Sequence, residues 1–297
     1  MSDDPEKTTQ MAIKISHKTL YRYRQPVHLN PHRLMLRPRE SRDLELISST
    51  ISTTPEASLS WAHDVFGNAI ATATFDRMTD MLLIESRSTL NLTIVAWPVF
   101  DIAASAISYP FLYSDDEWID LGALAVQQHA DPAGKLAAWA RAFVRGTCTD
   151  TLSLLKDISA GVASGIAYRS RDEEGTQTPL QTLDLASGSC RDLATLFVEA
   201  VRSLGFGARV VSGYLFDPDR NSLGSVGSGS THAWAEVYVP GAGWIRLDPT
   251  NRSVGGFNLI PVAVARDIRC AVPVAGSFAG PSDALLDMSV DVLVTSQ

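Results

Sequence analysis

A cysteine, a histidine and an aspartate occur in this order at positions where they could form one reactive group. Cys190 lies in SGSCRDLATLF, directly after a short run of small residues. Ser189 and Asp192 have the spacing of a helix-capping box, so the sequence predicts a helix that begins at Cys190. The unpaired N–H groups at a helix start stabilise a thiolate. The alternative is a small buried cysteine that packs on the same helix face as Leu193 and Phe197.

The histidine and the aspartate belong to two segments with the pattern of neighbouring strands. THAWAEVYV contains His232 and WIRLDPTN contains Asp248, and polar or aromatic residues alternate with apolar ones in both segments. A loop of residues 239–243 places Glu236 opposite Arg246, and it sets Asp248 diagonal to His232 on one face of the hairpin. A register shifted by one residue separates the charged pair and turns Asp248 to the other face. The sequence therefore favours the first register.

A thiolate, an imidazole and a carboxylate in this arrangement can perform acyl transfer. Cys190 would attack an amide carbonyl, His232 would move the proton, and Asp248 would fix the imidazole tautomer. An amine or water could then resolve the thioester, so transamidation, deamidation and proteolysis all remain open. A peptide-binding module without catalysis is a further alternative. In each case the expected partner is a protein or a peptide.

The oxyanion of such a reaction requires hydrogen-bond donors. The backbone N–H of Cys190 is expected to supply one of them, because it lies at the helix start. The side chains of Gln181, Tyr168 and Trp234 are candidates for the second donor and for substrate contact. The sequence does not rank these three.

The N-terminal third of the chain has the alternating pattern of short strands, in ISHKTLYRYR, LISSTISTT, AIATATF and STLNLTIVAW. Residues 11–100 are therefore predicted to form a β-sandwich-like domain. Residues 1–10 are expected to be a disordered leader, and residues 101–118 a connector.

Residues 119–297 are predicted to form one α+β domain, with helices first and a sheet afterwards. Helices are expected in DPAGKLAAWARAFVRG, at 151–164 and from Cys190 to the glycine at 205, and LQTLDLAS is expected to be a turn. The loop at 217–230 is expected to be mobile and to lie at the mouth of the cleft. It begins with DPDRNS, which has the oxygen spacing of a calcium loop but lacks the required glycine and glutamate, so no metal is expected.

The composition excludes several classes of protein. With 25 Lys and Arg against 33 Asp and Glu, the net charge is −8, so nucleic acid is not an expected partner. No apolar run reaches about 18 residues, and the polar start MSDDPEKTTQ does not resemble a signal peptide, so a cytoplasmic protein without a membrane span is expected. Cys148, Cys190 and Cys270 form no C-x-x-C pair, which argues against a disulfide framework and a structural zinc site. No cofactor is expected.

The segments GSCRDLATLFVEAVRSLGFGARVVSGYL and THAWAEVYVPGAGWIRLDPTN resemble the catalytic core of the bacterial transglutaminase-like superfamily. TQTPLQTL and VAVARDI also resemble that family, and the strands around WAHDVFGN are similar to the β-rich domain that precedes the core in many bacterial members. The resemblance implies a papain-like cysteine protease fold, with helices packed on an antiparallel sheet. It also implies a triad of Cys190, His232 and Asp248. Ile268 departs from the family pattern, in which an aromatic residue follows Arg-Asp.

Overall fold

The N-terminal part of the chain is built from antiparallel strands, as its alternating sequence predicts. The computed structural model describes residues 8–95, 98–170, 175–216 and 229–296. The strands of this part are Thr8–Leu29 (β1), His32–Leu34 (β2), Leu44–Thr54 (β3), Ser58–His63 (β4), Ala69–Thr74 (β5) and Thr79–Val95 (β6). The predicted leader at 1–10 ends too late, because residues 8–10 already continue the ladder between β1 and β6. Its first seven residues lie outside the described part of the chain.

Two sheets face each other in this N-terminal domain. β1, β6 and β3 are neighbours in one sheet, and β2, β5 and β4 are neighbours in the other. Leu29, Leu82 and Ile84 of the first sheet belong to the same buried cluster as Leu34 and Ala71 of the second. Burial of apolar side chains between two sheets is the main stabilising contribution in a β-sandwich. The predicted sandwich-like arrangement is therefore confirmed for the described residues.

The next part of the chain contains the helices and several very short strands. In chain order these elements are Ser108–Tyr109 (β7), Asp115–Leu121 (α1), Lys135–Arg141 (α2), Thr149–Asp150 (β8), Thr151–Gly165 (α3), Ala167–Tyr168 (β9), Pro179–Leu185 (α4), Ser187–Gly188 (β10) and Cys190–Ser203 (α5). α5 begins at Cys190, as predicted. Its residues Leu193, Phe197 and Val201 are buried in the main hydrophobic core. This burial fixes the position of the helix start relative to the sheet.

Two helices differ from the prediction. α2 is shorter than DPAGKLAAWARAFVRG suggests, because Gly134 precedes it in a left-handed conformation with φ of 63°. LQTLDLAS is largely helical, since it contains most of α4. The N–H of Gln181 donates to the Thr178 hydroxyl at 3.2 Å, and the N–H of Thr178 donates to Gln181 Oε1 at 2.9 Å. This capping box, followed by Pro179 in the first turn, starts a helix of seven residues.

A five-stranded sheet completes the core domain. Its strands are Ala208–Phe216 (β11), Gly229–Val239 (β12), Gly243–Asp248 (β13), Ser253–Val254 (β14) and Leu259–Ala265 (β15), in the spatial order β14-β13-β12-β11-β15. The predicted register of the β12–β13 hairpin is confirmed: Glu236 lies opposite Arg246, and Tyr238 lies opposite Trp244. All pairings in this sheet are antiparallel.

A row of three charged residues crosses the middle of this sheet. Glu236 lies opposite Arg209 on one side and Arg246 on the other. Glu236 Oε2 is 2.7 Å from Arg209 Nη2, and its Oε1 is 3.7 Å from Arg246 Nε. All three side chains are largely buried. Because a buried charge without a partner is costly, this row stabilises one register over its neighbours.

The chain returns to the N-terminal sheets at its C-terminal end. The last strands are Val274–Ala275 (β16), Phe278–Ala279 (β17) and Leu285–Ser296 (β18). β16 pairs with β2, whereas β17 and β18 pair with β1. These strands do not belong to the helical domain predicted at 119–297. They join the N-terminal sheets because β6 occupies only one edge of β1, and β18 hydrogen-bonds to the other edge.

The N-terminal sheets pack directly on the core sheet. Ile15 of β1 and Val294 of β18 share a buried cluster with Tyr214 of β11 and Ile260 of β15. Asn68, from the WAHDVFGN segment, accepts from the N–H of Val264 at 2.9 Å and donates to its carbonyl at 2.8 Å. The carboxamide thus pairs with the outer edge of β15 as a neighbouring strand would.

The contact between the two parts predicts a sharp difference between neighbouring positions of β18. Val294 is fully buried, so Val294→Asp should lower the free energy of unfolding by about 3 kcal/mol or more. Leu293 points to the opposite face and is 39% exposed, so Leu293→Asp should cost within about 1 kcal/mol. Urea denaturation of both variants measures the difference. Equal effects would show that β18 does not pack against the core sheet.

Candidate active site

Cys190 occupies the first turn of α5, and a buried carboxylate organises the chain around it. Asp192 Oδ2 accepts from the N–H and the hydroxyl of Ser189 at 2.8 and 2.9 Å, and Asp192 Oδ1 accepts from the N–H of Gln177 at 2.7 Å. A Cβ on Gly188 would lie 2.8 Å from Asp192 Cβ, so only glycine fits there. Asp192 therefore ties the segment before α4 to the turn that presents the thiol. Cys190 itself is partly exposed.

His232 lies on β12, opposite Gly213 of β11. Its Nε2 is 2.8 Å from Asp248 Oδ2. Cys190 lies near enough to the imidazole to contribute to the raised pKa of His232. Because Nε2 is directed at the carboxylate, Nδ1 is the nitrogen left for the thiol. Trp234 stacks on the ring, with the centroids 6.2 Å apart and 25° between the planes, and this contact restricts the ring's rotation.

Asp248 ends β13 and is almost fully buried. Its Oδ2 accepts from His232 at 2.8 Å and from Asn251 Nδ2 at 2.7 Å. Its Oδ1 accepts from the N–H groups of Thr250 and Asn251 at 2.9 and 3.3 Å. These donors stabilise the ionised carboxylate in a buried place. Asn251 stands in the WIRLDPTN segment and was not predicted to be part of the site.

Electrostatics favour a charged imidazole at this site. Burial alone would lower the pKa of His232, but the hydrogen bonds and charges of Asp248 and Cys190 outweigh it and raise the pKa to about 9. Burial would raise the pKa of Asp248, yet its bonds to His232 and Asn251 bring that pKa below the usual value. An imidazolium between a carboxylate and a thiol can stabilise a thiolate and later donate a proton.

The three residues predicted for oxyanion or substrate contact have different surroundings. Gln181 is exposed, and its side-chain oxygen is engaged in the capping box of α4. Tyr168 is 56% exposed and lies opposite Gly188 in the parallel pair of β9 and β10, two residues from the thiol. Trp234 is fully buried, so it has no surface for a substrate atom in this conformation. Tyr168 thus stays a candidate for substrate contact, and Trp234 acts on the imidazole instead.

Gln177 is close to the site and was missed. Its Oε1 accepts from the Thr182 hydroxyl at 3.0 Å and would be 3.3 Å from a Cβ on Gly188. Gln177 and Gln181 both stand in the segment TQTPLQTL. They differ in their position relative to α4, because Gln181 lies in its first turn and Gln177 precedes the helix. Recognition of the Thr-Pro-x-Gln capping pattern would have assigned Gln181 to the cap.

The remaining expectations concern the loop at 217–230, a metal site and a membrane span. The calcium-like segment and nearly all of the loop expected at the cleft mouth, 217–228, lie outside the described residues. Within the described ranges, no cluster of three His, Cys, Asp or Glu side chains is arranged to hold a metal ion. None of the helices in those ranges has both the length and the apolar character needed to span a bilayer.

Comparison with known proteins adds to this geometry. Residues 13–91 match the bacterial transglutaminase-like N-terminal region, and residues 137–249 match the transglutaminase-like superfamily. An uncharacterised protein of Mycobacterium tuberculosis H37Rv is 27% identical over 306 residues, which cover 94% of this chain and 92% of that protein. A protein-glutamine gamma-glutamyltransferase of Pseudomonas aeruginosa is 31% identical over 113 residues, which cover 37% of this chain and 15% of that protein.

A solved structure shows the same fold. It is a protein from Cytophaga hutchinsonii, proposed to be a cysteine protease, with a TM-score of 0.73 and 20% sequence identity. The match covers 97% of this chain and 92% of that chain. The two parts of the fold therefore occur together in another protein, in the same arrangement.

The matched regions coincide with the two parts of the described structure. Residues 13–91 cover most of the N-terminal strands β1–β6, and residues 137–249 extend from α2 to the end of β13. The second region contains Cys190, His232 and Asp248. Residues 137–249 thus belong to the transglutaminase-like superfamily, and residues 13–91 form the bacterial transglutaminase-like N-terminal region in front of that core.

Proposed function

We propose that this protein is a thiol-dependent acyltransferase or amide hydrolase that acts on glutamine side chains of protein or peptide substrates. The observation that carries the proposal is the buried hydrogen bond between His232 and Asp248, with Cys190 at the start of α5 near enough to raise the pKa of the imidazole. The similarity to a Pseudomonas protein named as a protein-glutamine gamma-glutamyltransferase supports glutamine as the acyl donor.

The first half of the reaction forms a thioester. The Cys190 thiolate attacks the carbon of the glutamine carboxamide, and the carbonyl oxygen becomes an oxyanion near the N–H groups at the start of α5. The His232 imidazolium then donates its Nδ1 proton to the leaving nitrogen, so ammonia departs and the imidazole becomes neutral. The Nε2–H of His232 stays bonded to Asp248 throughout, which preserves the tautomer.

The second half resolves the thioester. A primary amine attacks the thioester carbon, neutral His232 accepts a proton from it, and the Cys190 thiolate leaves. The product is an isopeptide-type amide. With water in place of the amine, the same steps convert glutamine to glutamate.

A glutamine-containing peptide library tests the reaction directly. Incubation with a primary amine should give amine adducts with loss of ammonia. Incubation without the amine should give slow deamidation, because water is a weaker nucleophile than an amine. Mass spectrometry distinguishes both products from cleaved peptides.

Two variants control this experiment. Cys190→Ala should abolish every product, whereas Cys148→Ala removes an exposed thiol outside the site and should retain full activity. Cleavage of the backbone would identify a peptidase instead. If the folded wild-type protein leaves every peptide unchanged but binds some of them, the chain is a binding module and the proposal is wrong.

Substitution of Asp248 tests the role of the carboxylate. Asp248→Asn should preserve the fold but favour the wrong imidazole tautomer, and turnover should fall by roughly 10- to 1000-fold. Asp248→Ala should be worse, because it leaves the ring N–H of His232 without an acceptor. Turnover is measured beside circular dichroism for both variants. Full activity of a folded Asp248→Ala protein would remove Asp248 from the mechanism.

The raised pKa of His232 predicts a dependence of stability on pH. Its value is about 9 in the folded protein, above the ordinary 6.5. The imidazolium therefore contributes stability that is complete below about pH 6.5 and is lost as the pH rises through about 9. The difference in unfolding free energy between the wild type and His232→Gln should shrink from about pH 7 to about pH 10.

Urea denaturation at both pH values measures this difference. His63→Gln, at an exposed position, controls for the loss of an imidazole outside the site. A difference that stays constant or grows with pH would show that His232 is neutral in the folded protein.

A further inference from the structure

We infer that Asn251 is a positioning residue that keeps the Asp248 carboxylate aligned with His232. The inference rests on the proposed role of the Cys190, His232 and Asp248 group. Asn251 Nδ2 donates to Asp248 Oδ2 at 2.7 Å, and this same oxygen accepts from His232 Nε2 at 2.8 Å. One carboxylate oxygen thus joins the carboxamide to the imidazole.

The hydrogen-bonding capacities of the three groups show how Asn251 acts. Its Nδ2 lies 3.4 Å from His232 Nε2. Nε2 uses its proton to reach Asp248, and Nδ2 is also a donor, so no hydrogen bond joins these two nitrogens. The carboxamide therefore influences the imidazole only through Asp248. A carboxylate oxygen has two lone pairs, and Asn251 occupies the one that His232 does not use.

The backbone of the turn holds the carboxamide in this place. Asp248 Oδ1 accepts from the N–H groups of Thr250 and Asn251, so the carboxylate is bound on both oxygens by the same turn. Asp248 also pairs with Ser253 across β13 and β14. The turn is therefore fixed at both ends, and its geometry directs the Asn251 side chain back towards Asp248.

Backbone strain next to Asn251 supports a functional reason for this turn. Arg252 has a φ of 56°, a left-handed conformation that favours glycine. Among the described residues, the other non-glycine residue with a positive φ is Ala186, at 47°, four positions before Cys190. Such conformations persist where the surrounding structure enforces them, and they concentrate at functional sites. In the sequence, Ala186 stands four positions before Cys190, and Arg252 stands four positions after Asp248.

Burial explains why a second donor on Oδ2 is useful. Asp248 is 1% exposed, whereas Asn251 is an exposed residue. Without the carboxamide, the second lone pair of Oδ2 would be left to water or would have no partner. Either change leaves His232 as the one partner that directs Oδ2, so this oxygen can tilt away from Nε2 while the N–H groups of Thr250 and Asn251 still hold Oδ1.

Proton NMR of protein that carries isotope-labelled histidine tests the inference at the hydrogen bond between His232 and Asp248. The His232 Nε2–H should give a low-field resonance, which Asp248→Ala removes and thereby identifies. Asn251→Ala should speed the exchange of this proton with solvent by about three- to tenfold, as expected for a coupled hydrogen bond. Asn251→Asp has the same shape but places a second carboxylate beside Asp248, so its effect should be larger.

The control is chemically matched. Asn91 Nδ2 donates to Glu45 Oε2 at 3.0 Å on the surface of the N-terminal domain, so Asn91→Ala also removes an amide-to-carboxylate hydrogen bond. It should leave the His232 resonance unchanged. If both Asn251 variants leave the resonance and its exchange unchanged as well, the inference is wrong.

A second readout separates this inference from the proposed function. Iodoacetamide alkylation of Cys190 is measured in a background where Cys148 and Cys270 are serine. Asn251→Ala should slow alkylation by about three- to tenfold, but it should have no further effect in an Asp248→Ala protein, because it acts through that carboxylate. Equal slowing in both backgrounds would contradict positioning through Asp248.

The two readouts fail independently. In the protein that retains all three cysteines, iodoacetamide should label Cys190 before Cys148 and Cys270. An NMR change in the Asn251 variants, together with a Cys190 that this protein labels no faster than the other two, would support the role of Asn251 and refute the proposed function. An unchanged resonance beside an active thiol would do the reverse.

Discussion

The row of Arg209, Glu236 and Arg246 across the core sheet is the constraint on which the site depends. A strand has two faces, and a shift of one residue exchanges them. A shift of β13 against β12 would part the largely buried Glu236 carboxylate from Arg246 and leave Arg246 without its partner, which is unfavourable. The same shift would turn Asp248 away from His232. The charges that are not part of the site therefore select the register that creates it.

Much of this arrangement could be predicted because its signals are local or periodic. The alternation in β12 and β13, together with one charged pair, was sufficient for the hairpin register. The apolar spacing after Cys190 and the glycine at 205 were sufficient for α5. The proximity of His232 and Asp248 followed from the hairpin register alone, without any knowledge of the remaining chain.

Other features depend on geometry that the residue types do not encode. The position of β18 depends on which edge of β1 is free, and residues 15 and 294 pair across nearly the whole chain. The contact of Asn251 with Asp248 depends on the conformation of the turn between β13 and β14, which includes a left-handed Arg252 that its residue type does not predict. α4 was missed for a different reason: seven residues are too few for a clear helical period, although its capping residues were visible.

The pairing of β1 with β18 also has a consequence for the order in which the protein can form during synthesis. The helix start at Cys190 and the hairpin with His232 and Asp248 are complete in the nascent chain before β18 exists. Until then, β1 exposes one open edge, and open edges recruit strands from other molecules. The chain therefore passes through a stage in which the segments of its proposed reactive group are already synthesised and its first sheet is unfinished. We expect such contacts between distant parts of the sequence to make the last step of folding slow compared with the formation of the helices.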